Sequence, residues 1–142
     1  MGMILSSTLI PAASAASQAD INTAIDNGLA YLASVQAADG HWSGSYYVAC
    51  TAMAVLAFEN AGYHAGDGSI YANNVANGLN YLFSTGFVQA IGVQSAGDPD
   101  TNGNGFGIYF NDPWNQVIYQ TPMVLMAIWV LKHPAQSPPL DQ

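Results

Sequence analysis

The chain has 142 residues, 51% of them hydrophobic and 7% charged, and its single basic side chain, Lys132, faces nine carboxylates for a formal charge of −8. One cation cannot neutralise a run of phosphates, so nucleic-acid binding and polybasic attachment to anionic membranes are excluded, while the apolar content favours a packed core over disorder. Cys50 is the sole cysteine and has no internal disulfide partner.

Taken in chain order, residues 1–16 read as a secretory signal peptide. An apolar run over residues 3–10 precedes Pro11, and Ala13-Ser14-Ala15 fits a processing site. A secreted, extracytoplasmic protein is expected. Neither later apolar run, over residues 46–58 and 122–131, reaches the roughly 20 residues of a spanning helix, so no membrane span is expected. Ile21, Ile25, Leu29, Leu32 and Val35 then mark one face of an amphipathic helix, with Asp20 ahead of it as N-cap. Residues 48–58 are apolar nearly all round and predict a buried helix stopped by Gly62. Val75, Leu79, Leu82 and Phe83 repeat the amphipathic pattern, and residues 123–131 repeat the buried one, stopped by Pro134. Residues 134–142 form a Pro-rich, linker-like tail.

These segments are copies. Gly28-Leu29-Ala30-Tyr31-Leu32 recurs as Gly78-Leu79-Asn80-Tyr81-Leu82, 50 residues on, and Thr51-Ala52-Met53 recurs as Thr121-Pro122-Met123, 70 residues on. Each unit is a G-L-x-Y-L helix, a connection and a T-x-M-x-x-x-A helix, which divides residues 19–133 into units at about 19–68 and 70–133. Such a period marks a supersecondary unit that stacks on copies of itself. A glycine inside a helix costs about 1 kcal/mol relative to alanine. Gly28 and Gly78 recur at one register, which points to close helix packing.

The first connection holds Gln36-Ala37-Ala38-Asp39-Gly40-His41-Trp42. Asp39-Gly40 makes a tight turn with Gly40 free to take positive φ; Asp39 is placed to cap the next helix or bond back to the chain, and the Trp42 indole to stack on the Gln36 amide. This Q-x-x-D-G-x-W string, followed by an apolar helix within a helix-pair repeat, resembles the prenyltransferase and squalene-oxidase repeat. That repeat belongs to the superfamily of squalene and oxidosqualene cyclases and protein prenyltransferase β subunits. The second unit departs from it, with only an echo at Asp112-Pro113-Trp114. The resemblance implies an all-α chain: helical hairpin repeats forming an incomplete α/α toroid, completed by further repeats or by a second chain.

The catalytic groups of that superfamily are mostly missing. Asp98-Pro99-Asp100-Thr101 lacks the last carboxylate of the D-x-D-D acid motif, and diphosphate binding has no arginine to use. Cys50 with His41, and with His64 and Asp39 nearby, offers zinc-type ligands, although a cysteine on a buried helix also serves as a small hydrophobe. The thioester string Cys-x-Glu-Gln is not matched at Cys50. Asp98, Asp100, Asn102 and Gly103, with the backbone carbonyl of Asn104, reproduce the first half of an EF-hand-type calcium loop. Its twelfth position is Tyr109, which leaves completion to Asp112 or another loop, and the same residues also suit a solvated turn. Phe106-Gly107-Ile108-Tyr109-Phe110 and Trp114 suit rim packing, or stacking on a glycan or lipid.

Two readings follow. One is an exported, non-catalytic repeat domain for binding or structure, or a fragment of a larger toroid. The other is a cyclase- or prenyltransferase-like enzyme acting on an apolar isoprenoid in a cavity lined by side chains such as Tyr46, Tyr47, Phe58 and Trp129. No catalytic residue is assigned.

Overall fold

The computed structural model describes residues 15–133, so the expected signal segment (save its last two residues) and the Pro-rich tail lie outside the described residues. Four helices, α1 (Gln18–Ser34), α2 (Tyr47–Asn60), α3 (Ala72–Ser84) and α4 (Val117–Lys132), are joined by a two-stranded antiparallel ribbon of β1 (Gly86–Ala90) and β2 (Phe106–Phe110). The ribbon overturns the expectation of an all-α chain; the fold is mixed. Its cause lies in residues 106–110, where Phe106, Ile108, Tyr109 and Phe110 are aromatic or β-branched and suit a pleated strand. Phe87 pairs with Tyr109 across the ribbon, and their rings stack at 5.4 Å.

The ribbon interrupts the second unit where a helix-to-helix connection was expected. Its base is tied down by Asn111 N–H donating to the Thr85 carbonyl at 3.2 Å, and by Phe110 N–H donating to the Thr121 hydroxyl at 3.0 Å. Of the aromatic stretch only Phe110 enters the core, while Phe106 and Ile108 stay more than half exposed.

Helix starts show how local and distant residues share the capping. Ser17, rather than Asp20, caps α1: its hydroxyl accepts from Asp20 N–H and the Asp20 carboxylate accepts from Ser17 N–H, a closed capping box. At α2 the preceding residue, Tyr46, sits at φ 51° and supplies no side-chain cap. Asp112 replaces it from 64 positions away, with Oδ2 accepting from Val48 N–H at 3.2 Å. Of the two roles expected for Asp39, capping that helix or bonding back to the chain, it takes the second, accepting from His41 N–H and pairing with the His41 ring, because α2 begins only at Tyr47.

The core centres on α2, which packs against α3 and α4 and more lightly against α1. Trp42, Val48, Val55, Phe58, Val75, Leu82, Phe110 and Val124 fill it. Trp42 bridges α1 and α3. Its indole N–H donates to the Leu32 carbonyl at 2.8 Å, and its ring lies over Gly78. A Cβ at Gly78 would stand 2.6 Å from Val55 Cγ2 and 2.9 Å from Trp42 Cζ3, so only glycine admits this approach. Gly28 meets nothing within 4 Å, which corrects the expectation for half of the pair.

Gln36 reaches the second unit. Its Nε2 donates to the Asn74 and Gly40 carbonyls, each at 3.0 Å, and its Oε1 accepts from Asn74 Nδ2 at 2.8 Å. Gly40, at φ 97°, has no room for a Cβ beside the Asn77 carbonyl. The Q-x-x-D-G-x-W string is therefore a clamp between units as well as a turn. The repeated threonines also do the same thing in each unit, since Thr51 accepts the N–H of buried Trp42 and Thr121 that of buried Phe110.

α4 departs from its expected burial. Despite its apolar sequence it buries only Gln120, Val124 and Ala127, whereas α2 buries nine of its 14 residues. Ile118 is 84% exposed and Trp129 is 58% exposed.

Candidate functional site: an apolar cleft on α2

The starts of α2 and α4 come together where Asp112 caps Val48 and the Tyr46 and Trp114 rings approach to 5.1 Å. An open cleft of about 590 Å³ lies against α2. Leu32 and Val35 at the end of α1, Trp42, Cys50, Met53 and Ala54, and Met123 of α4 line it. The repeated methionines of the T-x-M segments thus both face this cleft, and Met53 is 55% exposed. Flexible, polarisable methionine suits a surface that takes apolar groups of varied shape.

The polar groups in the wall are already engaged. Ser43, held at φ 80°, accepts from Ser45 N–H at 3.3 Å; Cys50 Sγ donates to the Ser45 carbonyl at 3.7 Å; and the Trp42 indole is engaged with Leu32. None of the lining residues is ionisable apart from the Cys50 thiol. Such a surface offers dispersion and hydrophobic contact, with little to orient or activate a polar substrate.

At the turn beside it, His41 Nδ1 lies 2.5 Å from Asp39 Oδ1. The His41 ring stands edge-on to Tyr47 at 4.7 Å and lies 5.3 Å from Tyr81. Slight desolvation of the Asp39 carboxyl is outweighed by hydrogen bonds from the His41 side chain and backbone, which leave it below the usual carboxylate range. Desolvation first, and then Asp39, Asp112 and Tyr47, raise the Tyr81 phenol. Cys50 lies on the cleft side and is half-buried. Among the described residues no three of His, Cys, Asp and Glu gather to hold a metal ion.

The Asp98 loop is self-contained. Asp98 Oδ1 accepts from Asp100 N–H, Asp100 from Asn104 and Gly105 N–H, Asn102 from Asn104 N–H, and Asn104 from Phe106 N–H. These oxygens fold the hairpin tip, and Asp112, the proposed completion, is engaged at α2 instead.

Two buried polar side chains carry no motif in the sequence. Glu59 is fully buried with both carboxylate oxygens unpartnered, and burial pushes its carboxyl up to about 8. Gln120 is fully buried with an unpartnered amide. A lone Glu within an otherwise apolar helix was the available signal for the first.

No family model, curated protein or solved structure matches the chain.

Proposed function

We propose that this chain is an exported, non-catalytic docking module of the prenyltransferase and squalene-oxidase repeat type, which works by taking an apolar partner against the open face of α2. The observation that carries this reading is the cleft, with apolar walls, two repeat methionines and the Ser43 hydroxyl, Cys50 thiol and Trp42 indole N–H of its lining already bonded. Lys132, the one basic side chain, lies in the last turn of α4, away from the cleft lining. Among the described residues no helix is long and apolar enough to cross a membrane.

The test uses Nile red, a neutral dye that brightens in apolar surroundings. The chain should enhance its emission, and Met53→Glu should remove that enhancement while circular dichroism stays unchanged. Equal emission from parent and variant would overturn the reading. An isoprenoid-converting enzyme would draw on the same cleft. It has no carboxyl in the lining to protonate an alkene, and incubation with squalene or a prenyl diphosphate should return the substrate unchanged.

A further inference from the structure

The two T-x-M helices differ in the faces they bury, and the repeat register shows how. In α2 the fully buried stripe is Val48, Ala52, Val55 and Glu59, turned toward the second unit, where Val55 fits against Gly78. Adding 70 gives Ile118, Pro122, Leu125 and Trp129, all of them exposed. The face that α4 does bury, Gln120, Val124 and Ala127 against the rest of the fold, corresponds to Cys50, Ala54 and Ala57, of which Cys50 and Ala54 line the cleft. Each T-x-M helix therefore has a forward face that receives the next unit and a backward face that sits on the previous one. Among the described residues α4 has no occupant for its forward face, and α2 has the open cleft beside its backward face.

The outer helices repeat the pattern. Gly78 is a filled notch, whereas its copy Gly28 opens onto empty space. Val75 and Leu82 are fully buried, whereas their copies Ile25 and Leu32 are only partly covered. The internal Val55–Gly78 contact thus has its two halves displayed separately at the ends of the molecule, as Leu125 and Gly28.

We propose that copies of this chain stack head to tail, with the Ile118–Leu125–Trp129 face of one copy seated on the Gly28–Leu32 face of the next, repeating the contact between the two units. The proposal rests on the docking-module reading and names its partner. A contact between two different faces leaves one of each free, so assembly continues until a ring closes or a filament grows. The chain's net charge of −8 opposes the contact at low salt, and physiological salt screens it.

Sedimentation velocity of the full chain tests this. The parent should associate as concentration rises, and Leu125→Glu and Gly28→Leu should each be monomeric alone with unchanged circular dichroism. Mixing the two variants should restore a 1:1 dimer, because each keeps the face the other has lost. A monomeric parent at high concentration would overturn the proposal and assign the α4 face to a different partner. Association that survives Gly28→Leu, or no dimer in the mixture, would replace head-to-tail stacking with another contact. Nile red binding by the monomeric Leu125→Glu variant separates the two ideas, since that variant keeps the whole cleft.

Discussion

α2 and α4 carry the same T-x-M-x-x-x-A segment and differ mainly in what surrounds them. α2 packs against both α3 and α4 and buries nine residues, whereas α4, with a more apolar sequence, buries three. The outer helices divide in the same way: α3 buries five of 13 residues, and α1 buries one of 17. Apolar periodicity therefore states what a helix is able to bury. Its place in the stack decides what it does bury, because each unit covers only the one before it.

The largest expected effect comes from removing the ring at the joint. Trp42 is buried, bonds Leu32 through its indole and lies against Gly78 and Phe58. Trp42→Ala should cost about 3–5 kcal/mol in chemical denaturation. Trp129→Ala, an equally large truncation on the exposed face of α4, should change monomer stability by less than about 0.5 kcal/mol. Similar losses from both would abolish the distinction between the interior and the terminal helices.

Glu59 and Trp129 occupy one register and invert the usual preference, with the carboxyl inside and the indole outside. The Glu59 carboxyl titrates near 8 when folded and in the ordinary range when unfolded, so above about pH 4.5 the folded chain holds a proton that the unfolded chain has released. The Glu59 contribution to stability is then fully present below about pH 4.5 and is lost up to about pH 8, by at most about 1.4 kcal/mol per pH unit. Glu59→Gln should flatten that fall, as measured by thermal melts across this interval. An unchanged slope in the variant would place the titration elsewhere.

The paired glycines give a smaller contrast with opposite signs. Gly78→Ala places a Cβ against Val55 and Trp42 and should cost about 1–3 kcal/mol. Gly28→Ala meets open space within a helix and should stabilise the monomer by up to about 1 kcal/mol. Denaturant midpoints of the two variants should move in opposite directions.

Much of this organisation was legible in the chain. The repeat located all four helices, because two independent segments recurred with correct periodicity, and it singled out Gly78 and the methionines that line the cleft. The turn string was readable as a turn, but its role as a clamp between units was not, since Asn74 lies 38 residues from Gln36 and carries no pattern of its own. The ribbon was missed because its strands are only five residues long and 15 residues apart, too short for alternation to stand out. The exposure of α4 was missed for a different reason: a helix apolar all round reads as buried unless the number of neighbours is known. Glu59 was hidden by the same logic, as one acid in a helix whose covered faces are set by other units.

The helix starts provide the smallest and most local contrast between the two copies. The α2 terminus receives a carboxylate, Asp112, whose Oδ2 accepts Val48 N–H while Oδ1 accepts Trp114 N–H at 2.9 Å. The α4 terminus has Gln116 before it, with no side-chain cap. A buried carboxylate at a helix N-terminus satisfies an otherwise orphaned donor and opposes the positive end of the helix dipole. Asp112→Asn keeps one acceptor but loses the charge, and it should cost about 1 kcal/mol, with Asp112→Ala nearer 2. Gln116→Asp runs the experiment in reverse, introducing a cap where α4 has none, and should gain a few tenths of a kcal/mol up to about 1. Hydrogen exchange locates the effect: the Asp112 variants should lose protection in the first turn of α2, and Gln116→Asp should gain it in the first turn of α4. Loss of protection spread evenly over all four helices would show that Asp112 holds the whole fold together rather than the one helix end it caps.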